Sequence, residues 1–511
     1  MSILSFSPRS LAALGAAVGL PIPAALADLA VSGLTDDTRT LAADRLLLLR
    51  PSPQAEQYLA QALAQPVAAV IAPWGIVSDD PRVLRVVDWA GTWQQLVSVL
   101  RGQAIAAMTL IGVTGTNGKT SVTHFIAQLL LGSGAPHTEV IGVIGTLGAG
   151  RYTAGSVSWS PTANTTPGLL ETLILLADFA AQGVRYVAME VSSHALDQDR
   201  VAGLPIRVAV FTNLSRDHLD YHRDMDRYLA AKLKLFSRPG LMAAISNVDG
   251  DWIEALCDAM HPDADCWVYG AGAAQGRAAD CHHIALRRLK ILPQGLSMAV
   301  DTPFGAVTLA PPLLGRFNAA NVLAAFSAVL ALGMPLPAAQ RAVATLTPPP
   351  GRLQQIGLPN GARAVVDYAH TPDALAQVLQ ALAAHRSAGA KIYCVFGCGG
   401  DRDTGKRPQM GAVADRLADG VILTNDNPRS EDPASILAAI AEGMTRPPVL
   451  CPDRAAAIFQ ALTAAAPGDW VLIAGKGHET TQIQQDVVIP FSDAAVVADW
   501  VRAQQRAGVS C

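Results

Sequence analysis

Charge is scarce in this chain: only 16% of its 511 residues are Asp, Glu, Lys or Arg, and the formal net charge is -4. Half of the residues are hydrophobic, which excludes a disordered chain, and nothing supplies the basic surface that a nucleic-acid binder needs. Cysteine is scarce too, and seven in this length are too few for a disulfide scaffold. Cys394 and Cys398 form one group, Cys257, Cys266 and Cys281-His282-His283 another, and neither has a zinc-like spacing. Long apolar runs are missing as well. Leu11 to Ala27, which follows Arg9 and ends Ala25-Leu26-Ala27, imitates a secretory signal, but Pro21 and Pro23 interrupt it. A helix from Ser10 to Gly19 packed on the first domain agrees better with the nucleotide chemistry described below. Val322 to Leu332 is too short for a span and reads as a buried helix stopped by Gly333 and Pro335. No repeat with a fixed period is present, which argues against a solenoid. The expectation is a soluble, cytoplasmic protein that is not membrane-inserted.

The length exceeds one core and suggests several domains. Residues 1–106 mix short strands such as Ala68 to Ile71 with alanine-rich helical stretches. From Met108 the order strand, glycine loop, helix begins and continues to about residue 345. Pro348-Pro349-Pro350-Gly351 cannot continue a helix, so a boundary falls there. The last region repeats strand then helix, with strands at Ala364 to Asp367, Lys391 to Gly397, Gly420 to Asn425 and Trp470 to Ala474. Such alternation implies an α/β chain with parallel sheets covered on both faces.

The strand Thr109 to Val113 runs into Thr114-Gly115-Thr116-Asn117-Gly118-Lys119-Thr120 and then a helix from Ser121 to Leu131. Glycines let backbone N–H groups curl around phosphate, and the helix N-terminus adds positive dipole. Lys119 can reach terminal phosphates and Thr120 can ligate Mg²⁺. The generic phosphate-loop pattern fails by one residue, since Val113 stands where it needs glycine. Strand, loop, Lys-Thr and helix in this order nevertheless predict a site for ATP or a similar triphosphate.

Two further strands end in polar clusters. Tyr186 to Met189 leads into Glu190-Val191-Ser192-Ser193-His194, and Val208 to Thr212 into Asn213-Leu214-Ser215-Arg216-Asp217-His218-Leu219-Asp220. Open α/β sheets bind ligands at such carboxyl ends, and Glu190 and His218 suit Mg²⁺, which takes few protein ligands plus phosphate oxygens. On a helix from Asp224 to Phe236, Lys232 falls within the apolar arc of Tyr228, Leu229, Leu233, Leu235 and Phe236, whereas Lys234 points away. An inward lysine requires a snorkelling stem, an ion pair or a chemical change.

These residues resemble the Mur ligase family. The motifs are Gly115 to Thr120, Thr165-Thr166-Pro167, Glu190 to His194, Asn213 to Asp220, Leu314 to Asn321, Asp367-Tyr368-Ala369-His370-Thr371-Pro372 and Gly397 to Asp403, spanning about residues 108–485. Before residue 108 the family's uridine-binding Asp-Ser-Arg appears as Asp37-Thr38-Arg39. The resemblance implies three domains: a UDP-binding domain at 1–106, a central ATP-binding domain with a P-loop-type parallel sheet at 107–347, and a Rossmann-like amino-acid-binding domain at 348–511. It implies that Lys232 is carbamylated to N6-carboxylysine and holds magnesium together with Thr120, Glu190 and His218. Lys119, Lys232 and His218 would act in catalysis. Gly115, Thr116, Asn117, Gly118, Lys119, Thr120, Asn318, Asn321, Arg352 and Asp367 would hold ATP. Thr38, Thr165, Thr166, Ser192, Gln198 and Arg200 would hold a UDP-N-acetylmuramoyl dipeptide.

Four strands of the last region end in polar clusters, as a binding crevice requires. Asp426-Asn427-Pro428-Arg429 resembles the family's signature for meso-diaminopimelate, whose second centre carries a carboxylate that lysine lacks and that a guanidinium can pair bidentately. By resemblance Arg402, Asp426, Asn427, Pro428, Arg429, Gly475 and Glu479 hold this amino acid. The implied reaction is ATP-dependent amide formation through an acyl phosphate, in peptidoglycan synthesis and hence cell-wall biogenesis, cell shape and cell division, by a monomer. His218 or Asp367 would help remove the amine proton. The alternatives are an L-lysine-adding ligase, a folylpolyglutamate-type ligase, or a non-catalytic ATP-dependent switch. Asp426 to Arg429 and the N-terminal length argue against the first two, and the retained substrate loops against the third.

Overall fold

A computed structural model describes residues 3–101, 105–154 and 156–509, without the side chains of 507–509. The chain packs as two compact units. One comprises residues 1–269, 273–282 and 327–335, the other 270–272, 283–326 and 336–511.

The first unit opens with a five-stranded sheet, Ile3–Ser10, Ala30–Thr35, Arg45–Leu48, Ala69–Pro73 and Val83–Val86 in that order, antiparallel only at its first pair. The run after Arg9 forms a helix, Leu11–Ala17, whose N-terminus is capped by the Ser10 hydroxyl accepting from the Ala13 N–H. Leu11 and Leu14 are buried, so this apolar stretch is part of a core. Among the described residues no helix is long and apolar enough to cross a membrane.

Eight further strands of this unit lie side by side in the order Asp265–Gly270, Ala243–Asn247, Ile206–Phe211, Thr109–Thr114, Tyr186–Glu190, Val140–Gly145, Gly148–Thr153 and Ser156–Ser160. The first six are parallel and the last two antiparallel. Thr109–Thr114 is central and almost wholly buried, which is why it reads as an unbroken apolar run rather than an alternating one. Its two neighbours, Tyr186–Glu190 and Ile206–Phe211, both come later in sequence and lie on opposite sides of it, so its carboxyl end is a switch point where a crevice opens. The following helix, Lys119–Leu131, starts two residues earlier than expected because Gly118, at φ +84°, turns the chain and leaves Lys119 and Thr120 in the first helical turn.

The second unit holds a meander of three strands, His282–Leu292, Gly295–Thr302 and Gly305–Leu309. Its main sheet runs Gln354–Gly357, Arg363–Asp367, Trp470–Ala474, Ile392–Phe396, Gly420–Leu423 and Val449–Leu450, antiparallel only at the first pair. Core clusters cover both faces, as the strand–helix alternation requires. A hairpin, Thr481–Gln484 with Val487–Pro490, completes the unit.

One buried ion pair ties these strand ends together. Arg454 donates to both carboxylate oxygens of Asp493 at 2.7 Å, and both side chains are wholly buried. The same guanidinium donates to the Ala474 carbonyl at 3.0 Å and the Asn425 carbonyl at 3.3 Å, where two parallel strands terminate. Arg454→Met is expected to destabilise this unit by about 3–5 kcal/mol, because Asp493 is left as an uncompensated buried charge. Chemical denaturation followed by tryptophan fluorescence measures this, and Arg454→Met with Asp493→Leu should recover much of the loss.

Candidate active site

In the first unit the glycine loop is held from the neighbouring strand end. The Thr116 N–H donates to the Asn213 carbonyl at 2.9 Å, and the Asn117 N–H donates to Asn213 Oδ1 at 2.9 Å. Asn213 Nδ2 and Thr212 Oγ1 donate to the Asn117 carbonyl at 3.0 and 2.5 Å. The Thr116 hydroxyl accepts from the Ser215 N–H at 3.0 Å and lies 3.2 Å from the Tyr228 hydroxyl. Only glycine fits at 115: its φ is +138°, and an added Cβ would stand 2.0 Å from Thr212 Oγ1.

Two lysines converge on this loop. Lys119 Nζ donates to the Gly115 and Thr116 carbonyls at 2.9 and 2.8 Å, and Lys232 Nζ donates to the same Gly115 carbonyl at 3.0 Å. Lys232 is 1% exposed and its ammonium lies 4.3 Å from the centre of the Tyr228 ring. Burial, then the nearby Lys119 charge, pushes its pKa down to about 6, so the neutral amine prevails at pH 7. The amine itself lies inside, which does not fit snorkelling, and among the described residues it makes no ion pair, its contacts being a carbonyl and a ring.

Glu190 ends its strand at 1% exposure. Its Oε1 accepts from Thr120 Oγ1 at 2.9 Å and the Thr146 N–H at 2.8 Å, and Oε2 accepts from Thr146 Oγ1 at 3.1 Å. The Thr146 hydroxyl lies 3.2 Å from that of Thr165. His218 is half-exposed, has φ +53°, pairs with Asp217 at 3.4 Å, and meets the His194 ring edge-on at 4.9 Å. Burial and the neighbouring His218 and His222 lower the pKa of His194.

Thr166, Ser192, Gln198 and Arg200 form one chain of hydrogen bonds. Thr166 Oγ1 donates to the Glu190 carbonyl and accepts from the Ser192 N–H, at 2.8 and 3.0 Å. Arg200 donates to the Thr166 carbonyl at 3.1 Å and to Gln198 Oε1 at 2.9 and 2.6 Å. Thr38 stands apart from this chain, in the short turn Thr38–Thr40 after the second strand, where Asp37 Oδ1 accepts from the Arg39 N–H.

In the second unit Asp367 is buried at a strand end. Its carboxylate accepts from the Leu353 N–H at 2.7 Å and the Ala369 N–H at 2.8 Å, and burial raises its pKa. The Arg352 guanidinium covers the Tyr368 ring at 4.9 Å, while its buried Nε has no partner among the described residues. An unpaired buried donor of this kind is what an anionic ligand satisfies. Asn318 and Asn321 hydrogen bond to each other at 3.0 Å, but no bond among the described residues joins them to Arg352 or Asp367.

The expected diaminopimelate residues do come together. Asn427 Nδ2 donates to Glu479 Oε2 at 3.0 Å, and Arg429 Nη1 donates to the Gly400 carbonyl at 2.8 Å. A Cβ on Gly399 would stand 2.9 Å from Arg429 Nη1 and 3.8 Å from Arg402 Cγ, and a Cβ on Gly475 would stand 2.4 Å from Asp426 Oδ2. Arg429, at φ +51°, is fixed by its backbone: its N–H donates to the Ile483 carbonyl, and its carbonyl accepts from the Gln485 N–H. The hairpin thus sets the direction of the guanidinium. Asp426 is buried, which raises its pKa against the pull of Arg454.

The sequence is matched over residues 113–329 by the family model for the Mur ligase middle domain and over 351–477 by that for the Mur ligase, glutamate ligase domain. A Pseudomonas aeruginosa protein named UDP-N-acetylmuramoyl-L-alanyl-D-glutamate--2,6-diaminopimelate ligase is 43% identical over 92% of this chain and 95% of its own. The chain belongs to the Mur ligase family. A Xanthomonas campestris Mur ligase of the same name is 42% identical over 96% of this chain and 98% of its own. A solved Mur ligase structure with that name superimposes at TM-score 0.69 and 33% identity, covering 98% of this chain and 100% of the other. The expected α/β fold holds.

Several groups at these Mur ligase sites were not foreseen. Thr146, Thr212 and Asn213 shape the phosphate loop and the Glu190 carboxylate. Thr146 had a readable signal, since it directly follows the strand Val140–Gly145. The one three-membered group of His, Cys, Asp or Glu ligand atoms among the described residues is Cys257, Cys266 and Cys281, and Cys266 and Cys281 form a disulfide. The spacing of fifteen residues gave no sign of that pairing.

Gly145 has an ordinary φ, yet a Cβ there would stand 2.3 Å from Glu190 Oε1. Gly145→Ala is therefore expected to displace the carboxylate and slow ATP turnover by at least about tenfold, equivalent to about 1.4 kcal/mol. Phosphate-release kinetics with a matched thermal melt separate this effect from unfolding.

Proposed function

We propose that this chain joins meso-2,6-diaminopimelate to UDP-N-acetylmuramoyl-L-alanyl-D-glutamate at the expense of ATP, a step of peptidoglycan synthesis. The observation that carries the reading is a full-length likeness, 43% identity over 92% of the chain, to a ligase named for this reaction. The local chemistry supports it. A carboxylate is a poor electrophile, so the D-glutamyl γ-carboxylate attacks the terminal phosphorus of ATP, ADP leaves, and an acyl phosphate forms. The amine of diaminopimelate then attacks the acyl carbon, the C–N bond forms, phosphate departs and the amine gives up a proton. Two anions meet in the first step, so positive groups must offset their repulsion. Lys119 and the N–H groups of Gly118 to Thr120 at the helix N-terminus supply that field.

Magnesium fits the donor set: a buried carboxylate on Glu190 and a hydroxyl on Thr120 are hard oxygen ligands at a phosphate-binding turn. His218 is a candidate additional ligand from the neighbouring strand end. When bound, the metal would neutralise phosphate charge. Lys232 is the further ligand in this reading, as a carbamate. Its neutral amine adds to CO2, an N–C bond forms and a proton is released, leaving an anion. The Lys119 ammonium, which shares the Gly115 carbonyl with Lys232, favours that change, because it disfavours a second cation there and attracts the carbamate anion. Arg352 and Asp367, with Asn318 and Asn321, are assigned to the nucleotide; Thr38, Thr165, Thr166, Ser192, Gln198 and Arg200 to the muramoyl dipeptide. Arg402, Arg429, Asn427 and Glu479, with Asp426, Pro428 and Gly475, receive the zwitterionic end of diaminopimelate, where guanidinium pairs with carboxylate and carboxylate with ammonium.

Lys119→Ala and Lys232→Ala are each expected to abolish ligation. Added bicarbonate should not restore Lys232→Ala, whereas short carboxylic acids should; a normal rate in either variant removes that lysine from the mechanism. Arg429→Ala is expected to weaken diaminopimelate by about 2–5 kcal/mol, the cost of unpairing a charge. A mass assay offering diaminopimelate and L-lysine together tests the substrate directly, and preferential lysine addition would overturn the assignment.

A further inference from the structure

Among the buried cations that the mechanism does not use, Lys476 stands beside the residues assigned to diaminopimelate. Lys476 lies between Gly475 and Gly477 at the end of the strand Trp470–Ala474 and is 0% exposed. Its Nζ donates to Asn427 Oδ1 at 3.0 Å and to Glu479 Oε2 at 3.1 Å. An ammonium kept out of water must be held by specific acceptors, and here both belong to the residues assigned to diaminopimelate.

Asn427 carries an amide whose oxygen and nitrogen are similar in size, so only its neighbours decide which faces where. Its Oδ1 accepts from Lys476 Nζ and from the Ile483 N–H at 2.9 Å. Both neighbours are donors only, so the opposite orientation would set the amide N–H groups against them. Nδ2 must then face Glu479, whose Oε2 it meets at 3.0 Å. Glu479 Oε2 thus takes two donors, while Oε1 carries no hydrogen bond among the described residues. The Glu479 side chain is about one-third exposed whereas Lys476 is enclosed, so the tied oxygen belongs to the interior and the carboxylate keeps an open side.

We propose that Lys476 is a positioning residue for amino-acid selection: it fixes the Asn427 amide and one oxygen of Glu479, so that the other oxygen and the second amide N–H meet the ammonium and carboxylate of the substrate's distal amino-acid centre. This rests on the diaminopimelate reading above. Lys476 does not touch the substrate. It acts through two residues that do, and without it the amide can rotate and the carboxylate swings.

Steady-state kinetics of the full-length enzyme test this with Lys476→Met, which keeps the volume and removes the donors, and with Lys476→Gln, which keeps an NH2 donor group without the charge. The expected result for Lys476→Met is a KM for diaminopimelate raised about tenfold or more, with kcat and the KM for ATP within about threefold of wild type. Lys476→Gln should fall between. In a cycle with Asn427→Ala, Lys476→Met should add little to the loss already present, since both changes remove one arrangement. An unchanged KM for diaminopimelate, an equal decline in every parameter, or full additivity with Asn427→Ala would overturn the positioning role. If wild-type enzyme itself fails to ligate diaminopimelate, the functional reading falls and this inference with it; if wild type ligates and the variants match it, the inference alone falls.

Discussion

The carbonyl oxygen of Gly115 accepts hydrogen bonds from two lysines at once, Lys119 and Lys232. That shared acceptor exists because the loop is drawn against the neighbouring strand end by Thr212 and Asn213, which leaves no room for a side chain at 115. Three properties follow from the one arrangement. Lys119 is held over the loop rather than extended into solvent. Lys232 is forced to share a dry enclosure with a like charge, which with burial lowers its proton affinity. The first turn of the helix Lys119–Leu131 starts directly from the loop, so its N–H groups lie beside both lysines.

The second unit uses buried charge differently. Arg454 with Asp493, Arg407 with Glu431 and Lys476 with Glu479 each pair a cation of at most 5% side-chain exposure with an acid. Buried pairs of this kind contribute little net stability over apolar packing. Their value lies in what else they touch. Arg454 reaches the carbonyls of Asn425 and Ala474, Arg407 that of Gly399, and Lys476 the amide of Asn427. All four acceptors lie at the carboxyl ends of parallel strands or in the loops that follow them. The arginines therefore fix loop and strand-end backbones, and Lys476 fixes a side-chain amide.

Much of this architecture was legible before the structure. Thr109–Thr114, Tyr186–Glu190 and Ile206–Phe211 were readable because buried parallel strands are continuous apolar runs ending in polar clusters. Lys232 was visible as an anomaly on its helix, and its burial matches the apolar arc of its neighbours. What spacing could not show was anything set by contact across the sheet. Thr146 meets Glu190 from 44 residues away, and Asn213 meets Asn117 from 96 away. Lys476 could not be read either, since its partner Asn427 lies 49 residues earlier. The Cys266–Cys281 bond was hidden for the same reason: a pair so separated in sequence becomes a pair only when the chain folds.

The hairpin of Thr481–Gln484 and Val487–Pro490 carries a consequence for how amino-acid choice could drift. Ile483 and Gln485 grip Arg429 through its main chain, while its side chain donates to the Gly400 carbonyl. The outer strand of that hairpin is exposed along its whole length, so natural variation there meets little resistance from packing. Insertions or swaps in this ribbon would swivel the guanidinium while every pocket residue stayed the same. Selectivity in such a design is inherited partly from a surface ornament, and a lineage could retune its building block by editing a loop that no comparison of pocket side chains would flag.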